Sequence, residues 1–212
     1  MIHYIKILII LLIGGVFSKA PKNSLFQEKQ EGLKVAYFAS GCFWCVEAIF
    51  ESVEGVEEAI SGYSGGKTKK PTYLKVGRGN TGHAETVAVF YDSKKVSFKT
   101  LVAIFFGSHN PTTKNGQHPD YGSQYRSIAF YQSEKEKEII HNYIKTLSAS
   151  GDYAQEIVTE VVKFEKFYKA EEYHQDYEKL HPNNPYVKSV SIPRLNRFKK
   201  SFTHLLKKQP HK

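Results

Sequence analysis

This chain of 212 residues holds two cysteines, one tryptophan and one methionine. There is one Cys-x-x-Cys and neither a second such pair nor a His-x3-His, so a structural zinc site with four regularly spaced ligands is excluded. The apolar run from Ile7 to Phe17 is eleven residues long. A helix needs roughly twenty to cross a bilayer, so no stable membrane insertion is expected. Acidic residues are absent from Lys188 to Lys212, which carries eight basic ones and with them most of the net charge of +9. The sole methionine is the initiator; that scarcity fits resistance to methionine oxidation and fits composition bias equally well. Internal repeats and low-complexity blocks are lacking as well.

What the chain does have is aromatic bulk. Fourteen Phe and fourteen Tyr within a 41% hydrophobic composition predict one compact domain with an aromatic core. Met1 to Ala20 has a basic-tipped start, the apolar run and a small-residue end, which is the pattern of a signal peptide. Export to a periplasmic or secreted location is the expectation. An uncleaved N-terminal anchor is the alternative, because Pro21 follows Ala20 directly. Residues 21–31 read as a linker, 32–187 as the folded domain, and 188–212 as a solvated basic tail without any base-reading motif, so no nucleic acid partner is expected.

Both cysteines and the tryptophan fall within Gly41-Cys42-Phe43-Trp44-Cys45, just before an apolar helical pattern. Unpaired N–H groups and the positive dipole end of a helix lower the pKa of a thiol, so Cys42 is placed to react. Cys45 lies within one helical turn and is placed to attack an oxidised Cys42. Phe43 and Trp44 supply an apolar wall suited to a small apolar group beside the reacting atom. A structural disulfide is the competing reading. It would close so short a loop that little unfolded-state entropy is removed.

The elements follow from periodicity. Leu33 to Ala39 reads as a strand, Trp44 to Val53 as a helix, and Val56 to Tyr63 and Glu85 to Tyr91 as strands. Ser97 caps a helix to about Phe106, a long polar loop runs from Gly107 to Gln124, and Ser127 to Tyr131 is a further strand. Ser133-x-x-Glu136 is a capping box opening a helix to about Leu147; Val158 to Val162 reads as a strand and Lys169 to Leu180 as a final polar helix.

Five motifs occur in order: Gly41-Cys42-Phe43-Trp44, Ser61-Gly62-Tyr63, Thr81-Gly82-His83-Ala84-Glu85, Gly122-Ser123-Gln124-Tyr125-Arg126-Ser127 and Ala170-Glu171-Glu172-Tyr173-His174-Gln175-Asp176-Tyr177. With them the chain resembles the peptide methionine sulfoxide reductases of the A type. The resemblance implies an α+β two-layer sandwich with a ferredoxin-like βαββαβ core and an extended C-terminal segment. It implies reduction of methionine (S)-sulfoxide, free or in proteins, without metal or cofactor, by a monomer. Cys42 is then the nucleophile and Glu85 the acid that protonates the sulfoxide oxygen. Tyr73 and Tyr125 hydrogen-bond that oxygen, Asp120 orders a water and binds polar substrate groups, and His174 and Tyr177 stand at the rim. His83 is expected to face away from the chemistry.

After Val187 no cysteine follows, which leaves Cys45 as the internal candidate for resolving a Cys42 sulfenic acid, with a thioredoxin-like dithiol donor restoring the thiols. A general thiol–disulfide oxidoreductase and a non-catalytic basic binding module are the rival readings.

Overall fold

The computed structural model describes residues 32–208. The signal-peptide pattern and linker of residues 1–31 lie outside them. Through the first half the chain forms β1 (Lys34–Ser40), α1 (Phe43–Glu51), β2 (Val56–Ser64), a short α2 (Tyr73–Gly77), β3 (Ala84–Tyr91) and α3 (Phe98–Gly107). A small hairpin of β4 (Gly116–Gln117) and β5 (Asp120–Tyr121) precedes β6 (Ser127–Tyr131), α4 (Glu134–Ala149), β7 (Glu160–Lys163) and β8 (Tyr168–Lys169). The chain then makes α5 (Tyr177–Leu180) and α6 (Ile192–Ser201).

One sheet has the order β7-β6-β1-β3-β2-β8. Its centre, β6-β1-β3-β2, is antiparallel throughout, and β7 joins β6 in parallel. The strand–helix–strand unit β1-α1-β2 is therefore split, with β3 lying between its two strands. That is the ferredoxin-like α+β arrangement. Phe38 in β1 stacks against Phe50 of α1 at 5.2 Å and Phe105 of α3 at 5.0 Å, which ties both helices to the central strand. Every residue of β3 is buried, because the other sheet face is covered too. There Tyr37 stacks on Phe164 at 3.7 Å and lies 5.6 Å from Phe167. A Cβ on Gly62 would come within 2.3 Å of the Phe167 ring, so this close approach requires glycine.

Caps set the helix starts. The Ser97 hydroxyl accepts the Thr100 N–H at 3.0 Å and the Ser133 hydroxyl accepts that of Glu136 at 3.2 Å. Only half of the capping box forms, since the Glu136 carboxylate takes the N–H of Gln132 instead of that of Ser133. In the long loop, Gln117 exchanges two hydrogen bonds with the Asn110 backbone, at 2.9 and 2.7 Å, and this fixes the hairpin that carries Asp120.

Two expectations are corrected. Lys169 to Leu180 is not one helix: β8 pairs with β2, a 3-10 turn spans Glu172–His174, and Asp176 at φ 52° separates it from α5. The Gln175 side chain binds the Ser61 backbone through both amide groups and the Glu47 carboxylate accepts the Asp176 N–H, so long-range partners replace helical ones. Nor is the segment from residue 188 a solvated tail. Phe198 is 2% exposed, Leu195, Phe202, Leu205 and Leu206 pack against the core, and Leu206 bridges Val53. Charge counting hid an apolar stripe at helical spacing. Phe198→Ala is expected to cost about 3 kcal/mol in urea unfolding; a solvated tail would give less than about 0.5 kcal/mol.

Candidate active site

Gly41 turns the chain from β1 into α1 at φ 87°, where a Cβ would meet Gln117 at 2.9 Å. Cys42 follows as the N-cap, without a side-chain cap of its own. The first free N–H of the helix belongs to Phe43, and it donates to Glu85 Oε2 on β3 at 3.0 Å. Glu85 is 2% exposed. Burial pushes its carboxyl up to about 8 and the nearby Asp120 adds to this, against the opposing pull of the Phe43 N–H. At neutral pH Glu85 is a carboxylic acid with a proton to give.

Aromatic rings enclose one side of Cys42. Phe43 lies 5.1 Å from the His174 ring and 6.2 Å from Tyr73, which itself sits 4.3 Å from His174. Trp44 stacks on Tyr177 at 3.8 Å and donates its indole N–H to His174 Nδ1 at 3.1 Å. That bond puts the imidazole proton on Nε2, a buried donor without a protein partner. Burial also lowers the pKa of His174, so the ring is neutral. Glu171 fixes the cage from behind, accepting the Tyr73 N–H and the Tyr63 hydroxyl, each at 2.9 Å.

The second side is polar. Tyr186 donates its hydroxyl to the Asp120 carboxylate and lies within hydrogen-bonding reach of both sulfurs. Tyr125 is close enough to Glu85, Tyr73, Asp120 and Cys42 to feel their charges. Burial raises the pKa of both phenols, Tyr73 to about 12 and Tyr125 higher, so both keep their hydroxyl protons. Cys45 is 1% exposed, with its sulfur 3.1 Å from the Ser191 hydroxyl.

The two thiols are coupled, so that a charge on one opposes a charge on the other. A hydrogen bond from the Cys42 thiol brings Cys45 down to about 6, opposed by burial and helped by Arg194 and Ser191. Cys42 is pushed well above the ordinary thiol range by burial, then by its hydrogen bond to Cys45 and by Cys45's charge. The helix N-terminus was expected to lower Cys42 directly. It does not in this resting arrangement, because burial outweighs the helix end, with Cys45 and Glu85 adding to it.

A family model described as peptide methionine sulfoxide reductase matches residues 34–206. The chain belongs to that family. It is 46% identical to the peptide methionine sulfoxide reductase MsrA of Natronomonas pharaonis, over 79% of this chain and 94% of the relative. The corresponding protein of Trichodesmium erythraeum is also 46% identical, over 80% and 96%. Among solved structures, methionine sulfoxide reductase A of Corynebacterium diphtheriae superposes with a TM-score of 0.66 at 33% identity, covering 72% of this chain and 77% of that one. Mxr1 from Saccharomyces cerevisiae in reduced form gives 0.66 at 33%, covering 73% and 88%.

In this peptide methionine sulfoxide reductase, an oxidoreductase, Cys42, Phe43, Trp44, Cys45, Tyr73, Glu85, Asp120, Tyr125, His174 and Tyr177 all fall around one pair of sulfurs. Four further residues of the reductase site went unread in the sequence: Tyr186, Ser191, Arg194 and Glu178. Arg194 donates to the Ser108 and Ser40 carbonyl oxygens at 2.9 and 3.0 Å, and Glu178 has a buried oxygen without a partner. Burial, then the charge of Cys45, brings Glu178 up to about 7. His83 faces elsewhere, clamping the loop at Gly66 and Thr68. Glu47, Glu51 and Asp176 approach one another as metal ligands would, but Lys179 pairs with Glu51 and Asp176 while Glu47 is hydrogen-bonded to Ser61.

Cys45→Ser removes both influences of that residue that raise Cys42. The expected result is a lower Cys42 pKa in the reductase, read from ultraviolet thiolate absorbance against pH and from the rate of alkylation by iodoacetamide. An unchanged or higher value would refute the coupling.

Proposed function

We propose that this reductase acts on methionine (S)-sulfoxide, free or in proteins, through a Cys42 sulfenic acid resolved by Cys45. The observation that carries this reading is the protonated Glu85 carboxyl fixed by the Phe43 N–H, one residue from Cys42, inside an aromatic cage. The Cys42 proton passes to the Cys45 thiolate, and the Cys42 thiolate attacks the sulfoxide sulfur. An S–S bond to the substrate forms as Glu85 protonates the sulfoxide oxygen, and that bond then breaks as the hydroxyl passes to the Cys42 sulfur, the bonding electron pair leaving with the substrate sulfur. Cys42 keeps that oxygen as sulfenic acid and methionine departs reduced by two electrons.

The methyl group sits against Phe43 and Trp44 in this reading, and the Tyr73 and Tyr125 hydroxyls hold the oxygen. Asp120, with Tyr186, binds the polar part of the substrate. His174 and Tyr177 hold Trp44 in place. Cys45 then attacks the Cys42 sulfenic sulfur, a disulfide forms, and the hydroxyl leaves as water with the Cys45 proton. A thioredoxin-like dithiol donor returns two electrons. Disulfide geometry is restrictive, so the first turn of α1 must loosen. The activity is a repair of oxidised proteins, and the residue 1–20 pattern would direct it to an exported location. An oxidising compartment would hold the pair as disulfide unless a reducing route reaches it. Among the described residues no helix is long and apolar enough to cross a membrane.

Single-turnover reaction without reductant, followed by mass spectrometry, tests the sequence of steps. Wild type is expected to end two hydrogens lighter, and Cys45→Ser one oxygen heavier. Glu85→Gln should slow methionine release about 10²-fold or more and abolish the loss of rate that wild type shows as pH rises through about 8, where Glu85 gives up its proton. Wild type ending as the sulfenic acid would assign resolution to an external thiol. Unimpaired Glu85→Gln would remove the acid.

A further inference from the structure

Beyond the end of β2, the loop of residues 65–70 and the crossover that carries the chain from β7 to β8 line a groove of about 540 Å³. Hydrogen bonds fix both walls. The Gly66 N–H donates to His83 Nδ1 at 3.1 Å and the Thr68 hydroxyl to the Thr81 carbonyl oxygen at 3.2 Å, while the Ser64 hydroxyl donates to the Lys166 carbonyl oxygen at 2.8 Å.

Five lysines line this groove: Lys67, Lys69 and Lys70 from the loop, Lys163 at the end of β7 and Lys166 from the crossover. All five are exposed, and none belongs to an ion pair among the described residues. Glu165 is the one acidic residue of the lining. Like charges gathered on one surface repel one another, so a negatively charged partner is attracted there. The rest of the lining is apolar, with Phe130, Val162 and Tyr168, and Lys166 Nζ stands 4.9 Å from the centre of the Tyr168 ring. A bare anion or a phosphate backbone would use the lysines and leave that apolar surface in water. A polypeptide segment whose acidic side chains flank an apolar one covers both.

The chain itself ties the groove to the aromatic cage. Lys70 precedes Tyr73 by three residues, so their Cα atoms are at most about 11 Å apart, and Tyr73 packs on His174 in the cage. We propose that the groove is a docking surface for an acidic segment of an oxidised polypeptide substrate, engaged while a methionine sulfoxide of the same polypeptide occupies the cage. This rests on the reading of the preceding section that the reductase acts on methionine sulfoxide in proteins. Contacts so far from the reacting sulfur are equal in the ground and transition states, so docking lowers KM and leaves kcat unchanged.

The test uses the full chain, dithiothreitol as reductant and low ionic strength. Three peptides each carry one methionine sulfoxide, joined on both sides through about eight Gly and Ser residues to a run of Glu-Phe-Glu-Glu, Gln-Phe-Gln-Gln or Lys-Phe-Lys-Lys. The value of kcat/KM for the acidic peptide is expected to exceed that for the neutral one about tenfold, with the basic peptide lowest, the difference residing in KM and shrinking at high salt. Lys163→Glu/Lys166→Glu should reverse this order while kcat/KM for free methionine sulfoxide stays within about twofold of wild type. Lys99→Glu/Lys145→Glu makes the same charge change at exposed positions of α3 and α4 and should keep the wild-type order. Equal kcat/KM for the three peptides, the wild-type order retained in Lys163→Glu/Lys166→Glu, or an equal loss of order in Lys99→Glu/Lys145→Glu would overturn the proposal. So would binding to phosphatidylglycerol vesicles that Lys163→Glu/Lys166→Glu abolishes without any discrimination among the peptides, which would assign the surface to a membrane. If all three peptides are reduced without charge preference, the docking surface alone fails; if free methionine sulfoxide is reduced and no peptide is, action on proteins fails first and the docking surface falls with it.

Discussion

The hydrogen bond from the Phe43 N–H to the Glu85 carboxyl is the constraint on which the site depends. It joins the start of α1 to β3 across 42 residues of sequence and satisfies a helix N–H that would otherwise be buried without a partner. The bond stabilises an ionised carboxylate, yet burial opposes ionisation more strongly, and the acid stays protonated at neutral pH. One interaction thereby caps the helix and fixes the acid beside Cys42, whose own pKa burial and Glu85 raise.

The second thiol has different surroundings. Cys45 sits one turn inside the helix, where Arg194 and the Ser191 hydroxyl favour its thiolate while burial opposes it. Both of those neighbours come from the segment that begins at Val187, so the C-terminal helices are part of the active centre's electrostatics. The aromatic cage depends on another distant segment in the same way. His174 receives the Trp44 indole N–H, and the chain around it is pinned by Glu47 and Ser61.

Much of the domain was legible because its central strands and helices carry their own periodicity and caps. β1, α1, β2, β3, α3, β6 and α4 all lie within a few residues of where the apolar spacing puts them, and their order matches the ferredoxin-like centre that the resemblance implied. The stretch 169–180 was misread because its polar residues look helical locally, while Gln175 and Asp176 answer to Ser61 and Glu47, more than a hundred residues away. Ile192, Leu195, Phe198 and Phe202 were overlooked because eight basic residues dominated the segment. In the site, the cysteine–tryptophan cluster stood out by composition alone. Glu85, Tyr73, Tyr125 and Asp120 came from resemblance. Tyr186, one tyrosine among fourteen, had no local mark, and Glu178 owes its raised pKa to burial that only the fold creates.

The central claim is that Glu85 is a neutral acid beside Cys42 in the resting enzyme. Infrared difference spectroscopy of the carboxyl C=O band, with Glu85→Gln as the reference that removes it, measures this directly. The account predicts a protonated carboxyl at pH 7 that titrates near 8. A band already absent at pH 7, with titration in the ordinary glutamate range of about 4.3, would contradict it.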